Sequence, residues 1–281
     1  MTSDKSVAHK LSLFLLVAGL LVPAIARAHA GAQGDEKHDL AKASQNPISS
    51  LISVPFENNS NFDVGPQDSY QNVLNIKPVI PVKLNDNWSL VNRAIIPVIY
   101  LDDRFPGQGP GSKFGFADPL YQGFFTPAKP GKFIWGIGPS VQLPMGASDF
   151  STNKWSIGPN AVVLTMPGHW VIGALVSNIW SVADAAGGDD DPNIDQFTAQ
   201  YFINYNMAKG WYVKTAPVVT ANWEAPSDQR WTVPVGGGFG RIFKIGKQPV
   251  NLAFQGFWNA VKPDSAGEWT MQATFTLLFP E

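Results

Sequence analysis

From about residue 48 to the C-terminus the chain repeats one unit: an aromatic-bearing run of alternating polar and apolar residues, about ten to fourteen long, closed alternately by a tight turn and a longer polar loop. Successive side chains of a strand point to opposite faces. Each such run therefore carries one apolar and one polar face, and a chain built from a dozen of them is expected to close into an antiparallel, all-β transmembrane barrel with lipid outside and a polar lumen. The runs fall at 48–57, 69–84, 88–101, 113–125, 132–144, 154–166, 169–182, 194–206, 210–223, 229–243, 248–262 and 267–279. Twelve is an even number, as bacterial single-chain barrels have.

The connections alternate in length. Those at 85–87, 127–131, 167–168, 207–210 and 244–247 are short and carry the Gly, Pro and Asn chemistry of hairpins. Those at 58–68, 102–112, 145–153, 183–193, 224–228 and 263–266 are generally longer and richer in Asp, Ser and Gly. Outer-membrane barrels keep short turns in the periplasm and long loops outside, which puts both termini of this chain in the periplasm.

Alternation is clearest late in the sequence. Trp211, Val213, Thr215, Pro217, Val219, Ala221 and Trp223 share one parity, and Tyr212, Lys214, Thr220 and Asn222 the other. The next runs set Leu252, Phe254 and Trp258 against Asn251, Gln255 and Asn259, then Trp269, Met271, Phe275, Leu277 and Phe279 against Thr270, Gln272, Thr274 and Thr276. Trp170 and Trp180 are spaced to fall in two aromatic girdles about 25 Å apart. Trp88, Trp135, Trp170 and Trp211 each follow a short turn, so one girdle recurs at the periplasmic side. A soluble sandwich or lipocalin-like barrel would bury these rings and need an apolar interior, whereas the opposite parity here carries Asn75, Lys77, Lys214 and Gln255. Three positions depart from the pattern: Arg241 lies on the outer parity but close to a turn, where it can snorkel, and Asn92 and Asn178 call for a register-shifting bulge.

Ahead of the barrel, residues 1–30 have the pattern of a secretory signal: Lys5 and Lys10, an apolar stretch from Leu11 to Ile25, and Ala28-His29-Ala30 as the cleavage site. The apolar stretch is shorter than the roughly 20 residues of a spanning helix. Residues 31–47 form a polar arm with a short helix-compatible piece around 35–43, and 48–281 the barrel. No later run of 18 uncharged apolar residues occurs, so a helical membrane protein is excluded. With no Cys there are no disulfide staples, and the low charged fraction of 15% suits a chain whose belt faces lipid. A net charge of -2 without a basic stripe excludes nucleic acid as partner. The expected partners are outer-membrane lipid, the barrel-assembly machinery and a small-molecule cargo; no cofactor is expected.

Several segments are similar to a family of bacterial outer-membrane transporters, often carried under the misleading label neuromedin U and related to barrels of meta-pathway phenol degradation. They are Gln45-Asn46-Pro47, Ser53-Val54-Pro55-Phe56, Asn72 to Ile76 with Pro78 to Pro81, Ile95 to Tyr100, Pro127 to Lys132, Trp135 to Pro139, Phe202 to Asn206 and Gly246 to Asn251. The resemblance implies a barrel and passage of small molecules, with no defined substrate. The related phenol group often shows Gly-Leu-Gly-Asp; here Gly115-Phe116-Ala117-Asp118 lacks the second Gly. Assembly machinery commonly reads a terminal aromatic, and Phe279 stands two residues before the end.

The polar parity supplies the pore-lining candidates: Asn75, Lys77, Arg93, Asp118, Gln142, Asn160, Gln200, Asn204, Lys214, Asn222, Gln255, Asn259 and Gln272. Charged and amide rings inside a barrel select by charge and hydrogen bonding, or pair with one another and fill a narrow lumen. Asp189-Asp190-Asp191 with Asp184 lacks EF-hand spacing and is read as a solvated loop, not a metal site. Gly236-Gly237-Gly238 with Gly240 has no following Lys-Ser/Thr and is read as room for curvature or for a luminal element. After residue 30 the only histidines are His38 and His169, neither in an outer loop, so a nucleophile's base is missing and no enzyme is expected. The leading expectation is an outer-membrane channel or small-molecule transporter; the alternatives are a filled structural or adhesive barrel and, last, an outer-membrane enzyme.

Overall fold

The computed structural model describes residues 32–102, 111–185 and 191–280. Residues Gly34–Glu281 form one compact unit. The expected signal segment 1–30 lies outside the described residues, as do 103–110 and 186–190 of two expected loops.

One helix opens the unit: α1, Ala32–Gln45, made mostly of strong helix formers. It stops where Asn46-Pro47 follows, because a residue before proline is driven out of the helical region. The Asn46 side chain then accepts the Ile48 amide at 3.0 Å and turns the chain toward the first strand.

Fifteen strand segments follow: β1 (Ile52–Val64), β2 (Ser69–Ile76), β3 (Val79–Lys83), β4 (Trp88–Leu101), β5 (Lys113–Phe116), β6 (Leu120–Pro127), β7 (Phe133–Gln142), β8 (Lys154–Thr165), β9 (Trp170–Asp184), β10 (Asp195–Asn206), β11 (Trp211–Thr215), β12 (Val218–Asn222), β13 (Trp231–Ile245), β14 (Gln248–Val261) and β15 (Trp269–Phe279). They make twelve staves, because β2/β3, β5/β6 and β11/β12 are each one stave interrupted. Pro78, Pro119 and Pro217 stand at the three interruptions, and proline has no N–H to give the ladder. Every neighbouring pair is antiparallel, and β15 pairs with β1 from Ile52↔Phe279 to Phe62↔Trp269, which closes the barrel. The end that holds Ile52 and Phe279 is called the terminal end below, the other the loop end.

Eleven of the twelve expected runs coincide with staves to within a few residues. The first does not. Residues 58–64 were expected in a loop but extend β1, and the connection to β2 is a tight turn over Gly65–Asp68. Glu57 to Asn61 is polar on both parities, so alternation is lost. Of its outward polar groups Ser60 is satisfied locally: its hydroxyl and the Asn72 amide both lie within 3.2 Å of the Tyr70 hydroxyl, whose ring packs with those of Phe62 and Tyr100.

Outward parity carries the exposed apolar side chains, among them Ile80, Phe114, Phe116, Phe133, Ile137, Val163, Val235, Phe239, Phe254 and Met271. This belt lies between two sets of aromatic rings, which is the exterior of a membrane-spanning barrel. At the terminal end Trp88 meets Trp135 edge to face at 6.0 Å, and Trp170 meets Tyr205 at 4.8 Å. At the loop end Trp223 meets Trp231 at 5.4 Å, and Trp258 meets Trp269 at 6.4 Å. No helix among the described residues is long and apolar enough to cross a membrane.

The three departures from alternation are accommodated by local contacts; β9 does carry a register shift, opposite Trp155 and Ser156, but it does not turn Asn178 inward. Asn92 and Asn178 do point outward. Asn92 accepts the Tyr121 hydroxyl at 2.8 Å and donates to the Ile80 carbonyl at 3.1 Å. Asn178 donates to Asp195 at 2.8 Å and accepts the Trp223 indole N–H at 3.0 Å. Arg241 is placed over the Trp211 ring, 5.2 Å from its centroid, a cation–π contact in the terminal-end girdle.

Inside, Tyr212 is almost fully buried and its ring occupies the space that a side chain on Gly240 would fill. Its hydroxyl donates to Asn251 at 2.7 Å. Gly240→Val should therefore expel the ring and cost about 1–3 kcal/mol by overpacking. Urea titration of the protein in lipid vesicles, with the heat-modifiable gel shift as readout, should show an earlier midpoint than wild type.

Candidate functional site

The lumen is layered. At the terminal end α1 and the turn after it lie against the inner wall. Ala41 and Leu51 join Tyr212, Ile242, Ala253 and Leu278 in one apolar cluster. Ile48 joins a second, with Val79, Val91, Phe124, Ile134, Val162, Leu164, Val171, Leu175, Phe202 and Ala216. Gln45 and Asn206 exchange two amide hydrogen bonds, at 2.9 and 3.1 Å, and fasten the end of α1 to β10. The arm is thus a plug, packed on apolar luminal residues that the sequence reading did not single out. The fit is incomplete, since a cavity of about 340 Å3 remains between Asp39, Lys42, Ile48 and Ser49 on one side and Ser89, Thr126 and Ile134 on the other.

One inward step toward the loop end lies a charged layer. Lys77 precedes Val79 on its stave, Arg93 follows Val91, and Lys214 follows Tyr212, so three cations border the apolar seat of the plug. Glu57 on β1 is paired with Asn75 in the ladder and with Lys77 in a close salt bridge. The two side chains are 14% and 11% exposed, so little water screens them. Lys214 comes from β11 and interacts electrostatically with both Glu57 and Lys77, although three staves, β13, β14 and β15, separate it from β1 along the wall. The charges therefore address one another across the lumen.

A belt of amides and hydroxyls continues from this layer in both directions. On one side Gln255 donates to Gln272 at 2.5 Å, Gln272 to Asn59 at 2.9 Å and Asn59 to Glu57 at 3.4 Å. On the other Arg93 donates to Gln122 at 3.3 Å, Gln122 to the Ser140 hydroxyl at 3.4 Å, and Asn160 to the same hydroxyl at 3.0 Å. All of these bonds except that from Asn59 to Glu57, which lies within β1, cross between neighbouring staves, so the belt also fixes the register of the inner face.

Among solved structures, the chain aligns with an outer membrane channel from Pseudomonas putida F1 at a TM-score of 0.63 and 14% identity, over 83% of this chain and 97% of that one. The two share a fold. A monoaromatic hydrocarbon channel (TM-score 0.46, 10% identity, 91% and 95% covered) and the outer membrane phospholipase A from Escherichia coli (0.43, 11%, 86% and 98%) overlap less well, and overlap that low fixes neither fold nor function. No family model and no curated protein matches the chain.

Of the residues singled out in the sequence, Asn75, Lys77, Arg93, Lys214, Gln255, Gln272 and Asn160 meet in the charged layer and its belt. Gln200 and Asn204 face inward on β10 but bond backbone carbonyls, of Ala216 at 3.2 Å and Val171 at 3.4 Å. Gln142, Asn222 and Asn259 stand at the loop end, where Asn259 donates to the Gly267 carbonyl at 2.7 Å. Asp118 is not free to meet a solute: it accepts the Gly146 and Thr152 amides and the Ser151 and Thr152 hydroxyls, all at 2.7–2.9 Å, and so staples the loop over residues 143–153 to the wall. Of the acidic loop, Asp189 and Asp190 lie outside the described residues, Asp191 accepts Asn153 at 2.8 Å, and Asp184 pairs with Lys154.

Glu57, Asn59, Gln122 and Ser140 were missed. Glu57 and Asn59 fell at and beyond the end of the first expected run, and Gln122 and Ser140 were passed over in runs whose inner faces mix Gly, Phe and Ser. Parity counted back from Lys77 through the turn at Gly65–Asp68 alone would put Glu57 on the outer face; the one-residue register shift between Asn61 and Val64, which the sequence does not mark, turns it inward.

Removing Glu57 leaves Lys77, Arg93 and Lys214 facing one another with no carboxylate between them. Breaking a buried pair on one side typically costs about 3–5 kcal/mol, while removing both partners costs far less. Glu57→Gln should lower the unfolding midpoint markedly, and the double change with Lys77→Met should restore most of it in the same urea assay.

Proposed function

We propose that this protein is a passive channel of the bacterial outer membrane for small solutes, held shut at its terminal end by its own N-terminal arm. The observation that carries this reading is the contrast between the two halves of the lumen. Below the charged layer the inner face is apolar and packed against Ile48, Ala41 and Leu51. Above it the inner face turns polar: Gln122, Ser140, Ser156, Asn160, Gln255 and Gln272 stand where aliphatic and aromatic side chains stand below. A barrel evolved only to be filled has no use for a polar half ending on cations.

In this reading the terminal end faces the periplasm, residues 1–30 are a cleaved export signal, and Phe279 on the closing strand is the aromatic read by the assembly machinery. The segment resemblance to the bacterial outer-membrane transporter family, and the channel named on the Pseudomonas putida fold relative, support the same assignment. Catalysis has no part in it. His169 lies in the terminal-end turn with its ring 5.8 Å from that of Tyr205, far in sequence and place from the loop-end rim. The apolar clusters favour one competing reading, a permanently filled structural barrel that displays its loops.

Planar-bilayer recordings of the mature chain separate the two. Leu51→Asp puts a carboxylate among Tyr212, Ile242 and Leu278, and an unpaired buried charge costs several kcal/mol. Intact protein should give rare or small conductance steps, and the variant frequent, larger ones. Silence from both, in preparations that remain heat-modifiable, would instead establish the filled barrel.

A further inference from the structure

We infer that Lys77, Arg93 and Lys214 form a binding site for a small oxyanion, carboxylate or phosphate, at the base of the polar half of the lumen. The site itself stands on geometry; its use in selecting solutes rests on the channel reading above.

Charge balance is the first ground. Three cations share Glu57 as the carboxylate within their layer, which leaves two positive charges in excess. The other inward carboxylate near the mid-wall, Asp118, is saturated by four donors from one loop. Two inward cations nearer the loop end are each paired with one carboxylate, Lys154 with Asp184 and Lys113 with Asp149 at 2.5 Å.

Unused donors are the second ground. Lys214 has no hydrogen-bond or ion-pair partner among the described residues, and Arg93 spends one N–H on Gln122 at 3.3 Å. A guanidinium offers five donors in a planar fork suited to carboxylate or phosphate, and an ammonium three. These groups come from different sides of the lumen, β4 and β11, and both face inward within the layer that holds Glu57.

Space and access are the third. Lys214 is paired in the ladder with Gly238, and Gly236 is the next inward position on that stave. Both lack side chains because the backbone of β14 presses close to them. The wall beside Lys214 is bare at these two positions of β13, which leaves room next to the cations, with Gln255 and Phe257 flanking it on β14. Beneath them the plug closes the way, so the anion would come to rest where charge is uncompensated.

Calorimetric titration of the folded, detergent-solubilised full-length protein tests the site without requiring conduction. Inorganic phosphate and propionate are the probes, and propionamide is the neutral twin of the latter. Saturable binding of phosphate, propionate or both is expected, with none for propionamide, and the stronger of the two names the oxyanion. Arg93→Gln and Lys214→Gln should each weaken it by roughly tenfold or more. No binding of either anion, or binding indifferent to both substitutions in variants that stay heat-modifiable, overturns the site. Reversal potentials across a KCl gradient then test its use: wild type should favour chloride and Lys214→Glu should lose that preference. Anion binding with silent bilayers would sink the channel reading and leave the site; conductance steps without chloride preference or anion binding would sink the site and leave the channel.

Discussion

Everything in this molecule follows from the closure of its sheet. In hydrocarbon a backbone N–H or C=O without a partner costs several kcal/mol, so strands can cross a membrane only as a ring without edges. The seam between β15 and β1, eleven residues in unbroken register, supplies the last set of bonds. Where the ladder must bend, the sequence places prolines, which have no donor to lose. The same rule governs the polar side chains caught on the outer face. Asn92, Asn178 and Asp195 are tolerated because Tyr121, Trp223 and one another satisfy them.

Closure creates a second problem, since twelve staves enclose more space than their own side chains fill. This chain solves it in layers. The arm fills the terminal end with apolar contacts, the charged layer caps that filling, and amides and hydroxyls line much of the loop-side half. The order has a physical logic: Glu57 and its three cations need some water or a counterion to be tolerable, and the apolar seat needs none. Gln45 and Asn206 hold the arm with two neutral amide bonds, each worth about 1 kcal/mol net. The arm is thus held in large part by apolar packing and neutral amide bonds, a mode of attachment that can release without unfolding the wall.

Much of the barrel was legible because a period of two is hard to imitate. Wherever one parity was apolar and the other polar, as in β11 to β15, stave limits and facing could be read directly from the residues. Legibility failed where both faces are polar, in Glu57 to Asn61, and there the most connected carboxylate of the lumen was lost with it. It failed again for the plug. Nothing in the composition of residues 31–51 distinguishes an arm free in water from one seated in a barrel; Ala41, Ile48 and Leu51 acquire meaning only against Val79, Tyr212 and Leu278, more than thirty residues away in the chain. Asp118 illustrates the converse, a residue on the right parity whose four acceptor positions are taken by a loop.

The central claim is that the arm sits inside the barrel, fastened to β10 below the charged layer. Because the chain has no native cysteine, Gln45→Cys with Asn206→Cys creates a unique pair for oxidative cross-linking in intact membranes. The account predicts rapid formation of an internal disulfide, seen as a mobility shift reversed by reductant. No cross-link, with both cysteines instead open to a bulky maleimide in the folded protein, would contradict it.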